Sequence, residues 1–377
     1  MFVRNCWYVI AWDHEVPQEG LFSRTVLGEA ILLYRTEAGA IVALRDRCCH
    51  RLAPLSKGRK EGDCVRCGYH GLLFDATGRC IEIPGAETVP AKVRVQRYPV
   101  VTQNKWVFVW MGEEARADPA LLPDNFSCDH PEWDYVPGYM HYQTPQDLIC
   151  DNLLDFSHLS YVHEKTLGGS TAIAQARAEI EAVPRGIRVT RRVHDVPPPP
   201  YYQTIRDIRG NLDRWFIYDF LLPGTLLMHS GGRPIEDGEG DMSRAVRLHS
   251  CQTVTPETDT TTHYFFQQSR RVEDGDHSIA EALYRSLLVA FEEDRAMIMA
   301  QAQAIAADPD QPMLLLAMDA AVVRFRRLVA DMVAAERIPA ALTETRSGLG
   351  GTAPRSLMDQ LGGQQLRRDG AVERRAR

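Results

Sequence analysis

Short apolar runs separated by turn residues fill the first 112 residues of the chain. Polar stretches that end in glycine, such as residues 37–39 and 75–78, interrupt these runs. Short apolar runs bounded by turns are typical of β-strands. We therefore predict an all-β region over residues 1–112, followed by a polar linking segment over residues 112–124. The predicted strands fall at residues 6–10, 30–34, 41–44, 72–74, 100–101 and 107–111.

Helical periodicity appears after the linking segment. Residues 147–162 carry Leu148, Ile149, Leu153 and Leu154 on one helical face. Residues 178–266 return to strand character, and the prolines at residues 197–200 predict a stiff extended connector within them.

Two further helices are predicted in the last third of the chain. The first covers residues 277–307, where Ile279, Leu283, Leu287 and Phe291 recur at a spacing of four and form an apolar stripe. The second covers residues 318–335. Beyond about residue 345 the chain is rich in Gly, Gln and Arg, which predicts a disordered tail.

Composition narrows the possible classes of protein. A chain of 377 residues accommodates about two domains, and 45% hydrophobic residues suit a globular core. The net charge of −7 argues against a nucleic-acid partner. Nine cysteines at irregular spacing, without a secretory signal or an apolar window of membrane length, are typical of a reducing compartment. We therefore expect a cytoplasmic protein without a membrane partner.

Two matched cysteine–histidine pairs lie inside the predicted all-β region. Cys48-x-His50 is followed, after sixteen residues, by Cys67-x-x-His70. Two thiolates and two imidazoles suit a [2Fe–2S] cluster in which histidines replace cysteines on one iron and raise the reduction potential. The glycines at 68 and 71 would let a loop fold closely over such a cluster.

A structural zinc site is the alternative interpretation of the same region. Cys64-x-x-Cys67 could hold zinc together with Cys48 and Cys49. That interpretation gives no role to His50 and His70, so the iron–sulfur prediction is preferred.

A second group of polar residues lies at 151–163. His158 and His163 are five residues apart, which separates them by about 140° on a regular helix. They can bind one metal only if the helix ends or distorts between them, and Ser157, Ser160 and Val162 favour this. A histidine near a helix end can equally be a cap or a core residue.

A mononuclear iron site with two histidines requires a carboxylate as well. Asp294 lies within about 20° of the apolar stripe on the predicted helix 277–307, and a lone buried carboxylate there is costly unless it binds a partner. Glu292 and Glu293 are expected to be solvated neighbours. A salt bridge from Asp294 to an arginine such as Arg270 is the alternative.

These motifs resemble the oxygenase (alpha) components of Rieske non-haem iron oxygenases, over roughly residues 1–335. The Cys48/His50/Cys67/His70 motif is specific, and Asp155-x-x-His158-x4-His163 follows it at the expected distance. The stretches 2–9, 50–56 and 255–265 also look like the branch that contains vanillate O-demethylase, toluenesulfonate methyl-monooxygenase and herbicide dealkylases.

The resemblance implies an α+β fold with two domains. Residues 1–115 would form an all-β Rieske [2Fe–2S] domain. Residues 116–340 would form a helix-grip (START-like) catalytic domain with an antiparallel sheet. The remaining residues, 341–377, contain the tail that composition predicts to be disordered.

The resemblance also implies a role for each site residue. Cys48 and Cys67 would bind one cluster iron, and His50 and His70 the other. Mononuclear iron would be bound by His158, His163 and Asp294. Asp155 would carry electrons from a cluster histidine to an iron-site histidine across a subunit boundary in a homotrimer, and Asn152 matches a common position near the iron. A simple surface acid beside Asp151 is the alternative for Asp155.

The implied activity is that of a monooxygenase with O₂ as oxidant. Electrons from NADH would arrive through a flavin- and ferredoxin-type reductase, with or without a separate ferredoxin. The substrate would be a small substituted aromatic, attacked at an alkyl C–H bond, most often in oxidative O- or N-dealkylation. Hydroxylation of a ring methyl group, as in an arylsulfonate, is an alternative, and a Rieske electron carrier without oxygenase activity is another. Candidate pocket residues are Met228, His229, Gln252, Phe266 and Ala290.

Overall fold

The N-terminal part of the chain consists of three small antiparallel sheets. The computed structural model describes residues 2–238, 240–272 and 278–336. The first eleven strands form the sheets β1-β11-β10, β2-β3-β4-β9 and β5-β6-β7-β8. The predicted all-β region is thereby confirmed. The strands are β1 (Cys6–Trp12), β2 (Phe22–Val26), β3 (Glu29–Arg35), β4 (Ile41–Arg45), β5 (Arg59–Glu61), β6 (Cys64–Arg66), β7 (Leu73–Phe74), β8 (Cys80–Glu82), β9 (Arg97–Tyr98), β10 (Val100–Gln103) and β11 (Trp106–Met111).

The first sheet is buried on both faces. Every residue of β1 and β11 is buried. One face, with Tyr8 and Ile10, packs against the second sheet, whereas the other, with Trp7 and Trp110, packs towards the C-terminal sheet. Because neither face meets water, these strands are continuous apolar runs rather than alternating ones.

The C-terminal part contains an eight-stranded antiparallel sheet. Strands β14 to β19 follow one another as a meander, β12 adds to the far edge, and β13 also pairs with β19. The remaining strands are β12 (Trp133–Asp134), β13 (Gly138–Tyr142), β14 (Glu179–Val183), β15 (Gly186–Val196), β16 (Leu212–Leu221), β17 (Thr225–Pro234), β18 (Val246–Pro256) and β19 (Thr262–Arg271).

Helices cover one face of this sheet. They are α1 (Gln146–Leu154), α2 (Ala172–Gln175), α3 (Tyr202–Ile205), α4 (Ser278–Ala307) and α5 (Ala320–Glu336). Leu287 and Phe291 of α4 pack against the sheet together with Phe216 and Phe220, and Phe325 of α5 meets Phe220 edge to face at 4.7 Å. A helix layer on one face of an antiparallel sheet is the predicted α+β architecture.

The predicted helices agree with the structure except at their ends. Residues 278–307 are helical as predicted, and position 277 lies outside the described residues. The last helix begins at Ala320, after a 3₁₀ turn at Ala317–Asp319, rather than at 318. The predicted tail, 341–377, also lies outside the described residues. No helix among those described has the length and apolar composition needed to cross a membrane.

Candidate metal centres and active site

The loops that carry the two Cys–His motifs have the same backbone structure. Cys48 O accepts from Leu52 N (3.0 Å), and Cys48 N donates to Ala53 O (2.8 Å). In the second loop, Cys67 O accepts from Gly71 N (3.1 Å), and Cys67 N donates to Leu72 O (2.8 Å). The fifth residue of each loop has a positive φ, 61° at Leu52 and 74° at Gly71. The loops are therefore structurally equivalent at their cysteines and turn residues, with histidine at the third position of the first loop and at the fourth position of the second.

The cysteines and the histidines of these loops differ in exposure. Cys48 and Cys67 are buried, each about 2% exposed, whereas His50 and His70 are exposed with ring centroids 4.5 Å apart. Burial raises the pKa of the Cys48 thiol to about 11, and the neighbouring Cys67 sulfur contributes to the increase. Two adjacent buried thiols and two adjacent imidazoles at the surface fit the donor set of a [2Fe–2S] cluster with one Cys-bound and one His-bound iron.

Glycine is required where the loops approach neighbouring chain segments. A Cβ at Gly68 would lie 2.6 Å from Lys57 O, and one at Gly71 would lie 2.9 Å from Pro84 Cγ. Any side chain at position 68 would therefore push two backbone segments apart. Both glycines thus permit close packing against neighbouring chain segments, and the folding of the loop over a cluster stays a prediction.

The geometry gives the four-cysteine zinc alternative no support. Cys49 is exposed, whereas Cys48 and Cys67 are buried. Over the parts of the chain that are described, one group of three possible metal-ligand side chains converges on a single point, and it lies outside the Cys–His loops.

That group consists of His158, His163 and Asp294, and its ligand atoms lie within 4.8 Å of one another. Asp294 Oδ1 lies 3.1 Å from His163 Nε2 and 3.5 Å from His158 Nε2. Asn152 Nδ2 donates to the same oxygen at 3.0 Å. Asp294 makes its described contacts here rather than with Arg270. Two imidazole nitrogens and one carboxylate oxygen on one side of a small space fit the facial donor set of a mononuclear iron.

The end of α1 allows the two histidines to converge. Helix α1 ends at Leu154, where Asp155 adopts an extended conformation (φ −121°, ψ 96°). A 3₁₀ helix follows over Phe156–Ser160, and a π-helical turn covers Glu164–Gly168. The helix predicted over 147–162 therefore ends earlier than its apolar spacing indicated. The break before His158 supplies the distortion that the spacing of five requires.

Both histidines are held through their Nδ1 atoms. His158 Nδ1 lies 2.5 Å from the carbonyl oxygen of Asp155, and His163 Nδ1 lies 2.8 Å from Glu293 Oε2. Thr166 Oγ1 also donates to Glu293 Oε2, at 2.8 Å. When Nδ1 donates, Nε2 is left as the acceptor that faces Asp294, which is the tautomer that a metal ligand needs.

The sequence prediction that placed Glu293 in solvent is wrong, because this side chain contacts His163 and Thr166. The helical wheel of α4 puts Glu293 away from the apolar stripe, but the turn after His163 packs against that flank of the helix. One imidazole therefore contacts two successive carboxylates, Asp294 through Nε2 and Glu293 through Nδ1. A contact from a separate segment leaves no signal in the periodicity of α4. Glu292 is exposed as predicted.

The surroundings shift the two histidine pKa values in opposite directions. Burial lowers the pKa of His158, and the charge of Asp294 does not reverse this. Burial alone would also lower the pKa of His163, but hydrogen bonds to Asp294 and Glu293 outweigh it and raise the pKa.

A small cavity of about 50 Å³ adjoins the three residues. This is below the roughly 150 Å³ of an engineered cavity that binds benzene. An aromatic ring therefore enters only when the lining side chains move apart. The apolar part of the lining consists of Leu153, Phe156, Leu159, Leu167, Phe216, Met228, Leu287 and Phe291.

The predicted pocket residues separate into two groups. Met228 and Gln252 line the cavity, whereas His229, Phe266 and Ala290 do not. His229 follows Met228 on β17, so its side chain projects from the opposite sheet face, where it lies near His249 and Phe126. Phe266 packs against Tyr284 and Phe291 in the core.

The carboxylate of Asp155 begins the 3₁₀ helix that carries His158. Oδ1 accepts from Ser157 N at 2.9 Å, and Oδ2 accepts from Ser157 Oγ at 2.6 Å. Arg191 Nη2 lies 3.7 Å away, and the side chain is 18% exposed. Asp155 is thus connected to His158 by its backbone, while part of its carboxylate remains accessible at the surface.

Comparison with known families gives two matches that together cover most of the chain. Residues 6–99 match the Rieske [2Fe-2S] domain, and residues 142–335 match the vanillate O-demethylase oxygenase C-terminal domain. The first match contains both Cys–His loops, and the second contains His158, His163 and Asp294.

Individual relatives agree with this assignment. The chain is 45% identical to the iron-sulfur subunit TsaM1 of the toluene-4-sulfonate monooxygenase system of Comamonas testosteroni, over 94% of this chain and 100% of that protein. It is 32% identical to a vanillate O-demethylase oxygenase subunit of a Pseudomonas species, over 83% of this chain and 96% of that subunit. A crystal structure of dicamba monooxygenase bound to dicamba superposes with a TM-score of 0.80 at 29% identity, over 89% of this chain and 98% of that one. The chain belongs to the Rieske non-haem iron oxygenases, as an oxygenase component of the vanillate O-demethylase and toluenesulfonate monooxygenase branch.

Proposed function

We propose that this chain hydroxylates an alkyl C–H bond of a small substituted aromatic compound, with oxidative O- or N-dealkylation as the main outcome. The observation that carries the proposal is the convergence of His158, His163 and Asp294 on one side of a largely apolar cavity. A buried carboxylate between two imidazoles has no evident structural purpose, whereas it suits Fe(II) with open coordination positions.

The proposed ligand roles follow from the two sites. Cys48 and Cys67 hold one iron of the cluster, and His50 and His70 hold the other. Mononuclear iron is held by His158, His163 and Asp294. Asn152 orients Asp294 through its hydrogen bond of 3.0 Å.

Iron bound at the second site would activate O₂, and the protein provides the apolar cavity and the oriented ligands around it. Apolar side chains such as Phe156 and Phe291 exclude water from the cavity and hold the aromatic ring. The Nδ1 contacts of the two histidines fix both imidazole planes before substrate arrives. Hydroxylation of a methoxy or N-alkyl carbon yields an unstable product that releases an aldehyde, whereas hydroxylation of a ring methyl yields an alcohol. The second outcome is favoured by the 45% identity to a toluene-4-sulfonate monooxygenase subunit.

Electron delivery is proposed to pass between subunits of a homotrimer, through Asp155. The accessible side of the Cys–His loops carries His50, His70, Leu52 (56% exposed) and Tyr69 (62%). Near the second site, Tyr161 is 72% exposed, and Met318 Sδ lies 3.6 Å from Ser157 Oγ. Exposed apolar side chains at both places support a contact between two copies there. Electrons would come from NADH through a reductase, with or without a ferredoxin.

The proposed domain division assigns residues 1–115 to the Rieske domain and residues 116–340 to the catalytic domain. The contact between Trp12 Nε1 and Gly138 O (2.9 Å), together with the shared apolar cluster around Trp7 and Phe265, ties the two parts together. We propose a cytoplasmic location, where NADH is present and thiols stay reduced.

Metal analysis and product detection test the proposed function. The purified protein should be brown and should contain three irons per chain, two in the cluster and one at the second site. With O₂, NADH and a reductase, methoxy-, N-alkyl- and methyl-arenes should give formaldehyde, another aldehyde or an alcohol. A protein with two irons and no product from any class would instead support the electron-carrier alternative, and a colourless zinc protein would contradict both.

Replacement of Glu293 tests the support of His163. Glu293→Gln should weaken iron binding at the second site by about tenfold to 100-fold, because the ring loses a charged partner on Nδ1. Iron released to a chelator is the measurement, and the visible spectrum of the cluster should not change. Glu292→Gln, on the exposed face one residue earlier, is the matched control. Equal iron retention in both variants would contradict the positioning role of Glu293.

A further inference from the structure

The sheet wall of the cavity carries a row of neutral polar groups. Strand pairing aligns Met228, Ser250 and Gln268 across β17, β18 and β19, and Gln252 lies two residues further along β18. Every second residue of a strand projects from the same face, so these side chains share the face covered by the helices. All four line the cavity, together with Ser230. The possible metal ligands form the other wall, from α4 and the segment after α1.

One of these groups has an unused hydrogen-bonding capacity. Ser250 is 1% exposed, and its buried Oγ has no hydrogen-bond partner among the described residues. Gln252 Oε1 accepts from Tyr264 OH at 2.7 Å, which fixes its amide and leaves the NH₂ group for a ligand. A buried hydroxyl without a partner is costly, so a ligand that bonds to it gains more than it would in water.

In the part of the chain that the structure describes, the lining contains neither lysine nor arginine, and its two histidines are the possible metal ligands His158 and His163. Arg270 is on the same sheet face, two residues beyond Gln268, but it does not line the cavity. At the metal wall, the two charges of Fe(II) would be balanced by Asp294 and Glu293. An anionic substituent would therefore lose its hydration without meeting a compensating cation, whereas a neutral polar substituent would lose much less.

We infer that the cavity selects uncharged aromatic substrates, and that Ser250, Gln252 and Gln268 bind their hydrogen-bonding substituent while the alkyl carbon faces the metal wall. The inference rests on the proposed function, since it takes the cavity as the substrate site. It assigns Ser250 as a specificity-determining residue. The inferred substrate class also differs from toluene-4-sulfonate, the anion in the name of the TsaM1 system.

Matched pairs of probes test the inference on the iron-loaded protein. The pairs are toluene-4-sulfonamide against toluene-4-sulfonate, and 4-methoxybenzamide against 4-methoxybenzoate. In each pair the ring and alkyl group are constant while the charge changes. The uncharged member should bind at least about tenfold more tightly by calorimetry and should give the higher kcat/KM.

Binding of the same probes to the Ser250→Ala variant is the second test. The variant should fold normally, because it removes a hydroxyl that has no partner, and it should weaken binding of the uncharged probes by about threefold to tenfold. Binding of methoxybenzene, which lacks the second substituent, should stay unchanged. Ser269→Ala is the matched control, because Ser269 bonds Ser127 and Gln267 away from the cavity. It should lower thermal stability and leave affinity unchanged.

The outcomes separate this inference from the proposed function. Preference for the anionic members, absence of binding by any uncharged member, or unchanged affinity in Ser250→Ala would each overturn the inference. Product from the anions would at the same time leave the proposed function intact. Binding of the amides that depends on Ser250, without product from any probe, would support the inference and contradict the oxygenase activity.

Discussion

Asp294→Ala should lose the mononuclear iron and all oxygenase turnover while it keeps the visible spectrum of the cluster. The carboxylate is the one anionic member of the group with His158 and His163, and its Oδ1 lies 3.1 Å and 3.5 Å from their Nε2 atoms. Two neutral imidazoles alone neither complete a facial triad nor balance Fe(II). We expect iron affinity at this site to fall by more than the roughly 100-fold that loss of an outer partner causes.

Iron stoichiometry is the decisive measurement for this variant. The wild-type protein should hold three irons per chain, and Asp294→Ala should hold two, with an unchanged cluster spectrum. Glu292→Ala is the control, because it removes a carboxylate from the same helix that pairs with Arg295 at 2.5 Å in an exposed position. Activity that survives in Asp294→Ala would show that the triad assignment is wrong.

Local sequence patterns predicted the elements but not the contacts between them. The apolar stripe of α4 correctly placed Asp294 on the buried face, where it is 7% exposed. The same wheel misplaced Glu293, because the turn at Glu164–Gly168 covers a flank that periodicity treats as solvent. Periodicity describes one element at a time, so it cannot identify a partner that a separate segment brings.

The strands that form the cavity wall show the same limit of local sequence patterns. Met228 and His229 of β17 and Gln252 of β18 were all predicted to line the pocket. Met228 and Gln252 do line the cavity, whereas His229 faces the other side of the sheet. Without the strand register, adjacent residues cannot be assigned to faces, because a shift of one residue exchanges the two. Ser250 was missed for a further reason. A serine in a buried strand carries no signal until its lack of a partner is known.

The end of α1 was predicted better from the geometry that a shared metal requires of His158 and His163 than from the apolar periodicity. Apolar spacing favoured a helix through residue 162, but two histidines five residues apart could serve one metal only with a break. The break lies at Asp155, whose carboxylate accepts from Ser157 N and Oγ and so begins a new 3₁₀ turn. One residue therefore ends a helix, orients His158 through its carbonyl oxygen and leaves its carboxylate at the surface.

Asp155→Asn should bind both kinds of metal yet turn over about 100-fold more slowly. Asparagine has the shape of aspartate, and its Oδ1 can still accept from Ser157 N, so the 3₁₀ turn and His158 should stay in place. The charge is lost, however, and with it the acceptor that we propose joins a cluster histidine of the neighbouring copy to the iron site. Electron transfer should become the slow step, while chemical reduction of the cluster by dithionite remains normal.

The rate of cluster reoxidation distinguishes this role from a structural one. A reduced sample mixed with O₂ and substrate should recover its visible absorbance about 100-fold more slowly in Asp155→Asn than in the wild type, with three irons per chain and the same oligomeric state in both. Ser157→Ala is the matched control, because it removes the hydroxyl that donates to Asp155 Oδ2 at 2.6 Å and leaves the charge in place. It should lose stability but reoxidise at nearly the wild-type rate. If Asp155→Asn reoxidises normally, electrons reach the iron by another path. If both variants slow equally, the carboxylate acts through the fold of the 3₁₀ turn and not as a bridge.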